Sequence, residues 1–369
     1  MRQRELLTLL NNYFVKLFDT TFHSMKIAFP RNNNLEWLRL IFATQVALCH
    51  SASHLKFEIP WIISYFPGVP AFFFVSGFLI YASYLNAPGR RYFENRFLRI
   101  YPALVLVTLG GAAVVLVDHG WHDLMNNFST YALWIIAQTT LGQAYNPGLF
   151  RDVGIGVING SLWTITTEIL FYLCIPFIVW LERNFRYTVL VCIVLSFSLY
   201  AVGPLVWSKP IYREKTFYDI LGLTPIVWGW MFGLGIVAVK HFEYLKRYFQ
   251  YLPLAVIPIT VMIVTGAGHY GFLFGSSGNR LGLLYFVNYI SLVLWFAFVV
   301  RPVRLPFDLS YGVYIWHAPV INLLLVLGFL NVPFSLLLTF SIAAISWFCL
   351  EKPFLKLKRQ SLKAVGNEA

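Results

Sequence analysis

Charge is scarce in this chain. Only 12% of its 369 residues are Asp, Glu, Lys or Arg, about half the share of an ordinary soluble protein. Low-complexity linkers and internal repeats are also missing, so neither an appended soluble domain nor a repeat array is expected. The four cysteines, Cys49, Cys174, Cys192 and Cys349, lie in apolar runs without metal-ligand spacing. They read as small core residues, and no metal site is expected. No phosphate-cradling glycine loop and no Ser–His–Asp order is visible, which argues against a serine nucleophile. A signal peptide is not expected either, because Glu5, Asn11 and Asn12 break any apolar core near the start.

Apolar residues fill the space that charge leaves. The chain is 58% hydrophobic with a mean hydropathy of +0.66, and runs long enough to span a bilayer recur along it. The fold class is therefore all-α, a polytopic transmembrane bundle. A net charge of +12 would suggest nucleic acid in a soluble protein. Here Lys and Arg lie between the apolar runs, so they read as topology and lipid-surface charge, and no nucleic acid is expected. Spans are predicted at about 35–54, 66–85, 99–117, 161–181, 187–206, 219–239, 251–268, 281–300, 309–329 and 333–350. With both termini cytoplasmic, the Arg90, Arg91, Arg96 loop and the Lys352, Lys356, Lys358, Arg359 cluster fall inside. That requires an even number of spans, so ten fits. The segment 131–145, interrupted by Gln138, Thr139, Thr140 and Gln143, is then a non-spanning element on the outer side. Residues 1–34 form an extension with an amphipathic helix, 35–355 the membrane domain, and 356–369 a basic tail. Asn34 is placed to cap the first span.

Several polar residues sit where lipid-facing helices would not keep them. Arg39 and His50, eleven residues apart, leave a helix on nearly the same face, roughly 16 Å apart along its axis. A buried Arg costs roughly 2.5 to 3.5 kcal/mol on insertion scales, which a polar cavity or a snorkelling head group must offset. Ser161, Glu168 and Tyr172 share one face of another span, and Ser310, Tyr314 and His317 share one face of a third. Each set reads either as site chemistry or as hydrogen bonding between helices. Arg96 and Arg99 stand side by side at i, i+3; they can grip a phosphate or act as a positive-inside anchor. Ser76 and Gly77 allow a close helix approach.

The order of these segments resembles the acyltransferase 3 family of integral membrane acyltransferases. The matching stretches are Arg39/His50, GVPAFFFVSGFLI, ENRFLRIYP, SLWTITTEILFYLCIP, LSYGVYIWHAP and Glu351-Lys352-Pro353-Phe354, covering about 35 to 355. The resemblance implies transfer of an acyl group, most often acetyl, from cytoplasmic acyl-CoA to a hydroxyl of an extracytoplasmic or lipid-linked glycan. It also implies an active site around the Arg39–His50 helix, with Arg96 and Arg99 on the CoA phosphates. On that basis His50 is the expected base, Glu168 orients it or binds sugar, and His317 donates to the oxyanion. Arg39 positions acyl-CoA, while Trp163, Tyr172 and Tyr314 line the channel. Acetyl-CoA is expected as donor substrate, with no tightly bound cofactor. The expected location is the plasma (inner) membrane, with polysaccharide-synthesis proteins or a second copy as candidate partners. A transporter or flippase for a lipid-linked sugar is the alternative reading of the same buried polar groups.

Overall fold

The computed structural model describes residues 29–356, apart from 144, 208, 213–214, 252 and 265–274. The amphipathic helix expected near the start and the basic tail beyond 356 lie outside the described residues. What is described is almost entirely helical. Two short antiparallel strand pairs, Pro210–Tyr212 with Lys215–Thr216 and Ser276–Ser277 with Arg280–Leu281, are the exceptions.

The helices are α1 (Leu35–His54), α2 (Gly68–Asn86), α3 (Arg90–Asn126), α4 (Phe128–Leu141), α5 (Leu162–Asn184) and α6 (Thr188–Val206). There follow α7 (Phe217–Leu221), α8 (Pro225–Lys240), α9 (Phe242–Phe249), α10 (Pro253–Val264), α11 (Leu283–Phe298), α12 (Ser310–Val326) and α13 (Val332–Ser346). Among the described residues, five helical stretches are long and apolar enough to cross a membrane: Trp61–Asn86, Arg90–Asn126, Leu162–Asn184, Thr188–Val206 and Val332–Lys356. A sixth arises if α8 and α9, bent by 100°, form one span. The expected ten is not reached by length and composition, for two physical reasons. Apolar helices α10, α11 and α12 are described over only 12, 16 and 17 residues. Helix α1 has the length, 20 residues, but carries Arg39, Gln45, His50 and His54, which lower its hydropathy.

Close backbone approach organises the centre. A Cβ on Gly77 of α2 would fall 2.0 Å from the Phe232 carbonyl oxygen of α8, and one on Gly235 would fall 2.1 Å from that of Phe74. Only glycine lets these two helices cross so tightly. Stacked Phe171 and Phe232 rings, 3.9 Å apart, fill the adjoining space. Helix α1 is tied to α2 by Gln45, whose Oε1 accepts the Gly68 N–H at 2.9 Å. Asn34 does stand at the start of α1, but its side chain does not cap it. It donates to the carbonyls of Phe296, Val300 and Arg301 and accepts from Val303 N, clamping α1 to the end of α11. The neighbouring Asn33 accepts the Leu35 N–H instead.

Helix α3 runs 37 residues and breaks at Gly120, where φ is 80°. The chain then turns into α4, whose 14 residues make a rod of about 21 Å, short of the roughly 30 Å hydrocarbon core. The loop after α4 is pinned to α12: Asn322 donates to the Val157 and Ile158 carbonyls, and Asn159 donates to the Ile315 carbonyl. Gly154 (φ +55°) is required there, because a Cβ would strike Asn322 Oδ1 at 2.1 Å. Exposed positions on either side of α4, Asn126 and Arg151, should therefore lie on one side of the membrane. With the native cysteines replaced, cysteines introduced at 126 and 151 are expected to react together, or not at all, with an impermeant thiol reagent. Reaction of only one would mean that α4 crosses.

Candidate active site

Three charges meet where α1, α3 and the start of α12 converge. Arg39 Nη1 donates to Asp308 Oδ2 at 2.9 Å, and Arg99 Nη2 reaches the same oxygen at 3.3 Å. The other carboxylate oxygen accepts the Ser310 hydroxyl and, at 3.2 Å, the Ser310 N–H. Asp308 thus closes the first turn of α12 while neutralising guanidiniums from two other helices. Burial alone would raise its carboxyl pKa, but Arg39, Arg99 and the two Ser310 donors hold it well below the usual carboxylate range. It is ionised throughout the neutral range.

Above this cluster opens a cavity of about 310 Å³, whose polar lining includes Arg39, Arg96, Arg99, Glu168, Ser310 and Tyr314. Its remaining wall is largely apolar and comes mostly from α2. Arg96 reaches across to Ser83 Oγ at 2.9 Å, with its guanidinium 5.5 Å above the Tyr172 ring. This volume lies at the low end for ligand pockets. It suits a thin chain with an anionic end rather than a bulky ring system.

One helical turn beyond Tyr314 stand the two histidines. His50 Nδ1 and His317 Nε2 are 2.9 Å apart, bridging α1 and α12. His317 is fully buried, whereas His50 is exposed. Neither lines the cavity. The Phe72 and Tyr314 rings, 5.5 Å apart edge to face, stand at its histidine end, and Tyr314 is held by a 2.8 Å hydrogen bond with Thr164. The Tyr314 ring is 6.0 Å from that of His317.

The whole arrangement sits inside a segment that matches a known family. The Acyltransferase domain that defines the acyltransferase 3 family matches residues 32–351. The chain belongs to the acyltransferase 3 family. Nodulation protein 10 of Rhizobium leguminosarum bv. viciae is 27% identical over 348 residues, covering 88% of this chain and 94% of that protein. The O-acetyl transferase of Shigella phage Sf6 is 25% identical over 342 residues, covering 88% and 96%. No solved structure matches the chain. The protein is thus an integral membrane acyltransferase.

For this acyltransferase the structure brings together Arg39, Arg96, Arg99, Glu168 and Tyr314 around one cavity and pairs His50 with His317. Three sequence expectations are corrected. Glu168 does not hold the His50 imidazole; it accepts a hydrogen bond from the Tyr172 hydroxyl and faces Arg39. Tyr172 accordingly lies at the edge of an outer groove shared with Arg96, not on the cavity. Trp163 is turned away, packed 5.3 Å from Trp228 and 6.1 Å from Phe73. Glu168 and Tyr172, two and three turns along α5, lie at other depths than a face count suggests, whereas Trp163, in the first turn, differs in direction.

Sequence reasoning gave two acids no role in the site. Asp308 was legible only as an acid two residues before Ser310 at a helix start, a capping pattern. Glu351, in the π-helical turn Trp347–Glu351 that follows α13, is buried and accepts the Ser346 hydroxyl at 2.9 Å; the sequence marked it only as part of a matching stretch. The Arg39 and Asp308 side chains are 15% and 19% exposed, so breaking this pair matters. Asp308→Asn is expected to destabilise by about 3 kcal/mol, since it strands two guanidiniums. Ser310→Ala should cost about 1 kcal/mol. Thermal unfolding of purified protein checks this, and equal melting temperatures for Asp308→Asn and wild type would contradict it.

Proposed function

We propose that the protein moves an acyl group, acetyl by preference, from cytoplasmic acyl-CoA to a hydroxyl of a cell-surface or lipid-linked glycan. The observation that carries this reading is a pair of unlike sites on one α1–α12 contact: a cavity set with three guanidiniums, and a histidine pair beyond Phe72 and Tyr314. The relative named O-acetyl transferase, aligned over most of both chains, supports acetyl and oxygen as the transferred group and acceptor atom. Ten spans in the plasma (inner) membrane, with both termini inside, is the layout this reading uses. It gives the donor the Arg96/Arg99 end and the acceptor the His50 end.

In this scheme the diphosphate end of the donor rests on Arg96 and Arg99 through forked, charge-assisted hydrogen bonds. The pantetheine arm runs along the apolar α2 wall toward Tyr314. His50 takes the acceptor hydroxyl proton on its free ring nitrogen while the oxygen bonds to the acyl carbon. As the C–S bond breaks, that proton passes to the CoA sulfur, so the imidazole returns neutral. Arg39 is held by Asp308 at the cavity floor, where its remaining N–H groups position the donor.

A transporter would need a broken or mobile element along its substrate path. The α8–α9 bend is such a break, but none of its residues lines the cavity, so nothing favours that reading.

Purified protein in proteoliposomes, given radiolabelled acetyl-CoA and the host's lipid-linked glycan, is expected to label the glycan. His50→Ala should lose about 10² to 10⁴ of that rate at an equal protein level. Labelling by the variant at the wild-type rate would remove His50 from the mechanism. Arg96→Ala should raise the donor KM roughly tenfold, the value of one charge-assisted bond of about 1.5 kcal/mol. An unchanged donor KM would leave Arg96 as a topological anchor.

A further inference from the structure

We infer that His317 is a positioning residue, one that fixes the tautomer of His50 so that its Nε2 is bare and faces the acceptor. This rests on the reading of His50 as the base and replaces the oxyanion role expected for His317. His317 Nδ1 is enclosed and has no partner in full hydrogen-bond geometry. The polar groups facing it are the backbone carbonyls of Tyr314 and Val313, one turn back on α12. Carbonyl oxygens only accept. A lone pair on Nδ1 would point at other lone pairs in a site closed to water, so Nδ1 carries the proton.

A neutral imidazole has one N–H. With Nδ1 protonated, His317 Nε2 is an acceptor, and the 2.9 Å contact must be donated by His50 Nδ1. The single proton of His50 is then committed to His317, and its Nε2 keeps a lone pair. His50 is the exposed member of the pair, so this nitrogen stays reachable. The other ring near it is His54, 6.3 Å away. Among the described residues no carboxylate forms an ion pair with either His50 or His317. The orienting task that a carboxylate often performs falls to a neutral imidazole.

That substitution has a chemical consequence. When His50 takes the hydroxyl proton, its Nδ1–H bond to His317 becomes charge-assisted and strengthens. The acceptor remains neutral, so the imidazolium is steadied less than it would be by a carboxylate. It therefore gives its proton up readily to the departing sulfur.

The test compares two substitutions of similar size. His317→Gln keeps an acceptor near the Nε2 position, whereas His317→Leu keeps the volume and removes it. His317→Leu is expected to lower kcat about 10- to 100-fold, with the donor KM unchanged, because His50 loses both its tautomer and its orientation. His317→Gln should stay within about threefold of wild type. Equal losses in both variants, or none in His317→Leu, overturns the proposal. Nitrogen NMR of 15N-histidine-labelled wild-type protein, with His50 assigned from His50→Gln, should show its proton on Nδ1. A proton on Nε2 overturns the proposal even where His317→Leu fails to accumulate. Full activity in His50→Ala, by contrast, would remove the base itself and leave the pairing as packing.

Discussion

Two guanidiniums and one carboxylate meeting inside an apolar bundle set the constraint on which the rest of this protein depends. No one of the three charges could stay there alone, since an unpaired buried charge costs several kcal/mol. Arg39 comes from α1, Arg99 from α3 and Asp308 from the start of α12, so the pairing fixes three helices at one depth. The two donors of Ser310, its N–H and its hydroxyl, on one oxygen of Asp308 set the first turn of α12, and with it the phase of every later residue on that helix. Tyr314 and His317 follow at one-turn intervals on the same face, meeting Thr164 and His50. The charge cluster and the histidine pair are two ends of one α1–α12 contact.

This geometry explains how a narrow cavity persists in a membrane protein. Glycines at the α2–α8 crossing draw α8 against the far face of α2. The near face of α2 is left to wall the space over the arginines. Guanidiniums line one end of it and the Phe72 and Tyr314 rings the other.

How much of this could be read from the sequence depended on whether a signal was local. The Arg39–His50 spacing was legible because both residues belong to one helix and their relative direction follows from helical geometry. The Ser310, Tyr314 and His317 face was legible for the same reason. Partnerships between helices were not, since depth depends on tilt and on where each helix begins. Glu168 was expected beside His50 and instead meets Tyr172 and the arginine end. Asp308 carried its cue in a capping pattern, but its two arginine partners lie 269 and 209 residues away. Helix α1, expected as a span, falls short by composition because Arg39 and His50, which build the site, depress its hydropathy. Asn34 was correctly placed at a helix start, yet its amide serves the α11 end, which no local pattern announces.

The most direct test of a path from arginines to histidines is an experimental structure of the protein in lipid nanodiscs with a non-hydrolysable acyl-CoA analogue. The account predicts the phosphates within hydrogen-bond distance of Arg96 and Arg99, and the acyl carbon beyond the Phe72 and Tyr314 rings, facing His50 Nε2. An analogue bound with its phosphates at the His50 end, or wholly outside the cavity, would contradict it.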